Sequence, residues 1–349
     1  MLRFVVHRLV TTIPVLIGIV VVVFVLARVI PGDPCTATYG EKATPAVCAE
    51  FNQKNGLDRP IPVQLGTYMG NVATGDLGRS VSQGRTVSQL LIERMPVTIE
   101  LAVNALIFAV AVGIPLGVIA AYRRGSAADV ASMIGANFGV SMPVFWLGLM
   151  LQFIFSQQLG WLPPSGRLPA GVISTPFYEK YGWGENGVFE FLSNFESFNA
   201  LITGQWSLLW DATRYMILPA IALGTIPLAI VARMTRSSLL DNLGLDYVRT
   251  ARAKGLREFL VVRRHAMRNS LLPVVTVIGL SMGALVGGAV LTETIFNLTG
   301  VGKTLFDAIS ARDYAVVQGF TLVIAVAFVL VNLLTDIVYT FLDPRVRVT

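Results

Sequence analysis

Residues 9–30 read LVTTIPVLIGIVVVVFVLARVI, twenty-two positions in which Arg28 is the sole charge. About 20 helical residues cross the roughly 30 Å hydrocarbon core of a bilayer, so this run predicts a membrane span. Arg3 and Arg8 precede it as they would in a secretory signal. Its apolar run is nevertheless longer than the roughly 7–15 residues of a signal core, and no small-residue cleavage site ends it before Arg28 and Pro31. It reads as a retained helix. Five more stretches of the same kind follow, at residues 99–122, 132–156, 215–234, 271–291 and 316–341. The composition agrees: 54% of the 349 residues are hydrophobic and 14% charged, with a mean hydropathy of +0.66. Soluble domains carry about 25% charged residues. Disorder is excluded, as is a disulfide scaffold, since the chain has two cysteines. The expectation is an all-α membrane protein with six transmembrane helices.

Charge sets the orientation. The N-terminus, the entrance to the third span, residues 233–270 and the C-terminus hold fifteen basic residues: Arg3, Arg8, Arg123, Arg124, nine between Arg233 and Arg268, and Arg345 and Arg347. Five acidic residues accompany them, Asp129, Asp241, Asp246, Glu258 and Asp343. Positive charge is retained in the cytoplasm, so both termini are expected inside. The net charge of +6 is then topology and calls for no nucleic acid. On the other side lie loops 31–98, 157–214 and 292–315. Cys35 and Cys48 share the first of them, and an oxidising compartment suits a disulfide closing that 14-residue segment, with two unpaired thiols as the alternative. With no third cysteine and only His7 and His265 as histidines, a tetrahedral metal site is not expected.

The cytoplasmic loop of about 235–270 is too long for a simple turn. Asp246 is expected to cap a helix from Tyr247 onward, and Gly255 to end it in a left-handed turn. Tyr247, Val248 and Ala251 fall on one side of this rod, with Arg249, Arg252 and Lys254 elsewhere, and Ala251 and Ala253 keep it thin. A second helical stretch, 257–270, runs into Pro273. Such a small, stiffly mounted helix suits a groove on a partner protein. The alternative is a surface helix whose arginines meet anionic lipid.

The run Asp246-Tyr247-Val248-Arg249-Thr250-Ala251-Arg252-Ala253-Lys254-Gly255-Leu256 resembles the cytoplasmic loop of bacterial ABC-importer permeases, most of all the B-type subunit of the dipeptide/oligopeptide and nickel uptake systems. The family pattern is Glu-Ala-Ala, three residues, Gly. This chain departs from it at Arg249 and Thr250 and keeps Ala251 and Gly255. Further stretches agree in order: Pro31-Gly32-Asp33-Pro34, Gly56-Leu57-Asp58-Arg59-Pro60, Gly75-Asp76-Leu77-Gly78, Ser141-Met142-Pro143-Val144-Phe145-Trp146-Leu147-Gly148, Leu159-Gly160-Trp161-Leu162-Pro163-Pro164-Ser165-Gly166, Glu293, Gly300, Gly302 and Arg312-Asp313-Tyr314.

The resemblance implies a type I ABC-importer permease fold in the bacterial cytoplasmic membrane. It implies residues 1–98 as a first span plus extracytoplasmic cap, and 99–349 as a five-helix core. It also implies a second homologous permease, two ATP-binding subunits, an extracytoplasmic substrate-binding protein and a peptide substrate. The chain itself would be no enzyme and bind no cofactor, with ATP and magnesium on the partner ATPases. Asp246, Tyr247, Arg249, Thr250, Ala251, Ala253, Lys254 and Gly255 would form the ATPase-coupling helix. Nickel chelate or haem as cargo stays open. Residues 167–214 exceed the family's expected length.

Other features are weighed on their chemistry. Gly302-Lys303-Thr304 imitates the end of a phosphate-binding loop, but Asn297 stands where the motif needs its first glycine. Glu100, Asn332 and Asp336 are candidates for the translocation path, because ionisable or polar groups in spans are costly. Snorkelling near the helix end or helix packing is the competing account of Asp336, which shares a face with Asn332, and solvation at an interface that of Glu100 and Arg28. Gly279, Gly283, Gly287 and Gly288 make a small-residue seam on the fifth span. Phe191, Phe195 and Phe198 have the spacing of an amphipathic helix on the outer leaflet. As rivals, an ion-driven transporter requires an internal repeat with midplane charges, and a channel a ring of pore-lining polar groups.

Overall fold

The computed structural model describes residues 2–29 and 33–342, with side chains left aside at residues 2–9, 29, 288 and 338–342. Pro31, Gly32, Asp343, Arg345 and Arg347, and the side chains of Arg3 and Arg8, lie outside the described residues. The chain is helical and forms no strand among the described residues; a single bridge pairs Arg79 with Thr86. In order come α1 (Leu2–Val29), α2 (Pro34–Tyr39), α3 (Pro45–Lys54), α4 (Ile61–Ala73), α5 (Val87–Tyr122), α6 (Ala127–Ser141) and α7 (Val144–Leu151). Then follow α8 (Phe177–Lys180), α9 (Gly187–Ser193), α10 (Glu196–Thr203), α11 (Trp206–Leu243) and α12 (Asp246–Ala253). The last are α13 (Glu258–Leu260), α14 (Met267–Gly288), α15 (Val290–Ile295), α16 (Val301–Ser310) and α17 (Tyr314–Leu342).

Among the described residues, five helical segments are long and apolar enough to cross a membrane: Val10–Arg28, Val87–Tyr122, Trp206–Leu243, Glu258–Gly287 and Tyr314–Ile337. The expected third span, 132–156, is instead two helices, α6 and α7 with its π-helical continuation Gln152–Gln158, bent by 102°. It makes a sixth span only if the pair is counted as one. Pro143 explains the break: it offers no N–H, and its ring pushes Met142 out of the helical region, to φ −102° and ψ 140°. Pro219 and Pro227 stay inside α11, and Pro273 inside α14.

The chain divides into two compact units. The first comprises Met1–Thr98, Ser174–Thr203 and Thr299–Val329, so the segments around 174–203 and 299–329 pack with the N-terminal quarter. Its core joins Val87, Leu90 and Leu91 of α5 to Val301 and Ala308 of α16 and Val316 and Phe320 of α17. Polar ties fix the loops. Thr98 Oγ1 accepts the Val301 N–H at 2.8 Å, satisfying an open donor at the start of α16. Buried Asp313 accepts from Ser80 Oγ (2.6 Å), Ser82 N–H (3.0 Å) and Ser82 Oγ (2.8 Å). Cys35 and Cys48 are joined as a disulfide.

Residues 174–203 fold around Phe177, whose ring meets Tyr178, Trp183, Phe189 and Phe198 edge-on. Phe191 and Phe198 fall on α9 and α10, with Phe195 in the break between them, so the single amphipathic helix expected from their spacing is not formed. Asn194 closes α9 instead, its amide donating back to the Glu190 carbonyl at 2.9 Å.

The second unit comprises Ile99–Ile173, Gly204–Leu298 and Leu330–Thr349. Small residues pack its helices: Ala109, Ala136, Leu228 and Ala232 form one cluster across α5, α6 and α11. A Cβ at Gly224 would lie 2.5 Å from the Ala105 carbonyl oxygen, and one at Gly117 2.6 Å from that of Ala232. On α14, a Cβ at Gly279 would strike the Thr335 side chain at 2.2 Å, whereas Gly287 meets open space. The expected fifth-span seam is therefore close-packed at Gly279 and not at Gly287, and the backbone-to-backbone approach occurs between α5 and α11. Overpacking such a contact costs about 1–3 kcal/mol. Gly224→Ala should lower the thermal midpoint in detergent, while Gly287→Ala should leave it unchanged.

Candidate functional site

The loop between α11 and α14 is built on an apolar anchor. Val248 is fully buried and Ala251 5% exposed. They pack with Ala121, Leu239, Val261, Val262 and Ala266, drawn from the end of α5, from α11 and from the π-helical turn Val261–Ala266. Their three-residue spacing puts both on one side of α12. The opposite side carries Asp246, Arg249, Thr250 and Ala253, all exposed and spaced three and four apart. Asp246 and Arg249 approach to 3.5 Å in an exposed pair, worth at most about 1 kcal/mol.

Three polar ties hold the helix to its flanks. Tyr247 Oη donates to Asn242 Oδ1 (2.9 Å) near the end of α11 and accepts from Asn269 Nδ2 (3.1 Å) in α14. Arg252 makes a forked pair with Glu258, Nε at 3.0 Å and Nη2 at 2.6 Å, and its Nη1 reaches the Leu243 carbonyl at 3.4 Å. That pair holds the Arg252 guanidinium above its ordinary value, chiefly through the hydrogen bond to Glu258. Gly255 ends the element at φ +76°, where side chains are strained, with its N–H on the Arg252 carbonyl at 2.9 Å. Lys254 is exposed and donates its backbone N–H to Thr250. Glu258–Leu260, the π-helical turn and α14 then run on as a single helical segment through Gly287.

One local expectation is corrected. Asp246 does not cap the helix. It is the first helical residue, and Leu245, at φ −77° and ψ 152°, occupies the capping position without a side-chain bond. The Asp246 carboxylate still sits at the positive end of the helix dipole, which favours it there.

Glu100 and Arg28 are not the solvated interface groups of the sequence reading. Glu100 is 5% exposed and accepts from Arg167 Nη2 at 2.9 Å. Arg28 is half-buried, with Nε on Gln64 Oε1 (2.9 Å) and its guanidinium 3.4 Å from the centre of the Phe24 ring. Asn332 and Asp336 are half-buried on α17, and the Asn332 Oδ1 has no hydrogen-bond partner among the described residues. Gly302, Lys303 and Thr304 lie in the first turns of α16, where Thr304 Oγ1 donates to the Gly300 carbonyl and Lys303 pairs with Asp307 at 3.6 Å. No strand precedes them among the described residues, as a phosphate-binding loop requires.

The sequence reading missed the partners of this loop. Arg252 and Glu258, six residues apart, were legible as opposite charges on one loop. The Tyr247 bridge to Asn242 and Asn269 carried no signal, because polar residues at those separations have no fixed geometry until both helices are placed. A further tie, Arg236 to Asp129 at 2.7 and 2.8 Å, spans 107 positions and links α11 to α6.

The family model described as binding-protein-dependent transport system inner membrane component matches residues 113–348, and the companion N-terminal model of such membrane components matches residues 1–102. The chain is similar to the dipeptide transport system permease protein of Alkalihalophilus pseudofirmus, 45% identical over 349 residues, which covers 99% of this chain and 100% of that one. It is 46% identical over 348 residues to the di/tripeptide transport system permease protein of Pseudomonas aeruginosa, with 99% of each covered. It is 39% identical over 332 residues to the probable D,D-dipeptide transport system permease protein of Escherichia coli, covering 95% of this chain and 94% of the other.

A charge at a fully buried aliphatic position has no partner and is costly. Val248→Asp should therefore release α12, raising amide exchange across residues 246–253 by at least about tenfold, whereas exposed Thr250→Ala should leave the protection unchanged.

Proposed function

Since the chain belongs to the ABC peptide-importer permeases, the binding-protein-dependent transport system inner membrane components, we propose that it is the membrane subunit of an ATP-driven importer for di- and oligopeptides. In this reading it pairs with a second, homologous permease and takes its energy from two ATP-binding subunits, which hold the ATP and magnesium. A substrate-binding protein delivers cargo on the outer face of the bacterial cytoplasmic membrane. Both termini and α12 lie on the inner face, as the distribution of arginines supports. Residues 1–98 add a span and an outer cap to a five-helix core in 99–349. The peptide cargo is supported by the dipeptide and di/tripeptide permeases to which the chain is similar along its whole length.

The observation that carries the reading is the mounting of α12. A helix that transmits a partner's movement must present a face for that partner and must not slip on its own base. The exposed Asp246, Arg249, Thr250 and Ala253 supply the face, with Lys254 beside it. Val248, Ala251, Tyr247 and the Arg252–Glu258 fork supply the base. Closure of the ATPases on ATP displaces α12. The continuous helix from Glu258 to Gly287 carries that displacement into the membrane and exchanges inward- for outward-facing access. Glu100, Asn332 and Asp336 are the polar groups proposed along the path. Glu100, already bonded to Arg167, also acts as a tie between α5 and the loop after α7.

Gentle detergent extraction of the tagged chain from its own membranes tests the assembly. A second permease and two ATP-binding proteins should come with it, and a dipeptide-loaded binding protein should stimulate ATPase activity more than a nickel chelate or haem. Recovery of the chain alone, with uptake that survives ATP depletion under a proton gradient, would overturn the reading in favour of ion-coupled transport. In the intact complex, Gly255→Val places a β-branched residue at φ +76°. It should leave basal ATP hydrolysis within about twofold of normal while reducing peptide uptake at least about tenfold.

A further inference from the structure

A cavity of about 200 Å³ lies within the first unit, away from α12. It is lined by the end of α1, by α4, by the loop after α4 and by the start of α17, and four arginines contribute to it: Arg28, Arg59, Arg79 and Arg312. Among the described residues lining it the one carboxylate is Asp76, which already takes the Gly78 N–H at 2.9 Å. Basic side chains therefore outnumber acidic ones on its walls, and the Arg79 guanidinium is held in place by the Gly84 carbonyl.

Two more donors line the same cavity. Gln318 is 5% exposed and its Nε2 has no hydrogen-bond partner among the described residues; the Tyr68 hydroxyl is likewise buried without one among them. Burial pushes the Tyr68 hydroxyl up to about 12, so it keeps its proton and can donate. Buried donors are nearly always satisfied by some acceptor, and two beside a cluster of guanidinium groups call for an anion with several oxygens. Arg28 is already fixed for such a role, with Nε on Gln64, Nη1 on the Phe24 carbonyl at 3.2 Å, and its plane over the Phe24 ring.

The level of the cavity narrows the choice. Arg28 is the last residue of the apolar segment Val10–Arg28, and Tyr314, another lining residue, is the first of Tyr314–Ile337. Both segments meet the aqueous phase at this point, the depth at which lipid headgroups lie. We propose that this arginine-lined cavity binds a phosphate group, carried by a phospholipid headgroup at that membrane surface or present as free inorganic phosphate. Arginine suits the role because its planar fork matches phosphate oxygens in pairs. Bound phosphate would join α1, α4 and α17 through one shared acceptor, and the site is independent of what the protein transports.

The test uses the full chain, purified with whatever subunits accompany it and stripped of lipid. Native mass spectrometry measures retention of phosphatidylglycerol against diacylglycerol with the same acyl chains, which lacks only the phosphate-bearing headgroup, and thermal unfolding is followed with added inorganic phosphate. Phosphatidylglycerol should be retained at least about tenfold more tightly than diacylglycerol. That preference should collapse in the Arg59→Gln/Tyr68→Phe variant, which changes an exposed arginine and removes a hydroxyl while keeping the Tyr68 ring against Phe24. Protection by inorganic phosphate, lost in the same variant, would support the site with free phosphate as a source; protection by the lipid alone would support the headgroup. Equal retention of the two lipids by the unaltered chain, with no protection by phosphate, would overturn the proposal, and that comparison needs no variant to fold.

Discussion

The approach of Gly224 to the Ala105 carbonyl, with Gly117 against that of Ala232, fixes how closely α5 and α11 can lie. Between helices in lipid there is no hydrophobic gain from mutual burial, since acyl chains are as apolar as leucine. Close packing and polar ties must do the work instead. The same seam carries Ala109, Leu228 and Ala232, which leave room for Ala136 of α6. With α5 and α11 fixed, the ends of both helices are placed together near α12, and the buried Val248 and Ala251 find Ala121 and Leu239 waiting for them. A substitution at the seam therefore reaches the loop between α11 and α14 through rigid elements.

The mounting of α12 follows from that geometry. Eight residues form a helix of roughly 12 Å, far below the length at which an isolated helix is stable. Two apolar side chains and three polar ties make it persist. Division of labour between its sides is strict: the buried side holds position, and the polar side stays open to water.

Polar ties dominate the first unit. Asp313 is taken out of solvent by the hydroxyls of Ser80 and Ser82 and one N–H, more than two hundred positions away in the chain. A buried carboxylate is tolerated only with such bonds in place. Thr98 caps a helix that starts at Val301, and the Cys35–Cys48 link closes a short segment of the same unit. Each of these pins a loop whose own sequence has little power to choose a conformation.

The helical, membrane-embedded class was legible in runs such as residues 9–30 and 99–122, because the length of an apolar helix and the bilayer thickness are matched locally, without reference to the rest of the chain. Asp246 to Gly255 were likewise legible as a short helix ended by a glycine, since periodicity and a left-handed terminus are local properties. Family membership came from motifs strung in order. The bend at Met142-Pro143 was half-visible: proline announces a break, but Pro219 and Pro227 announce the same and remain inside one unbroken helix. Which proline bends its helix depends on the neighbours that absorb the loss of one hydrogen bond. The Glu100–Arg167 and Asp129–Arg236 pairs, the Asp313 node, the Tyr247 bridge and the four-arginine cavity were decided by the tertiary structure alone. Most of these join groups tens to hundreds of positions apart, and hydrogen bonds and close ion pairs form only at the few ångströms that packing brings within reach.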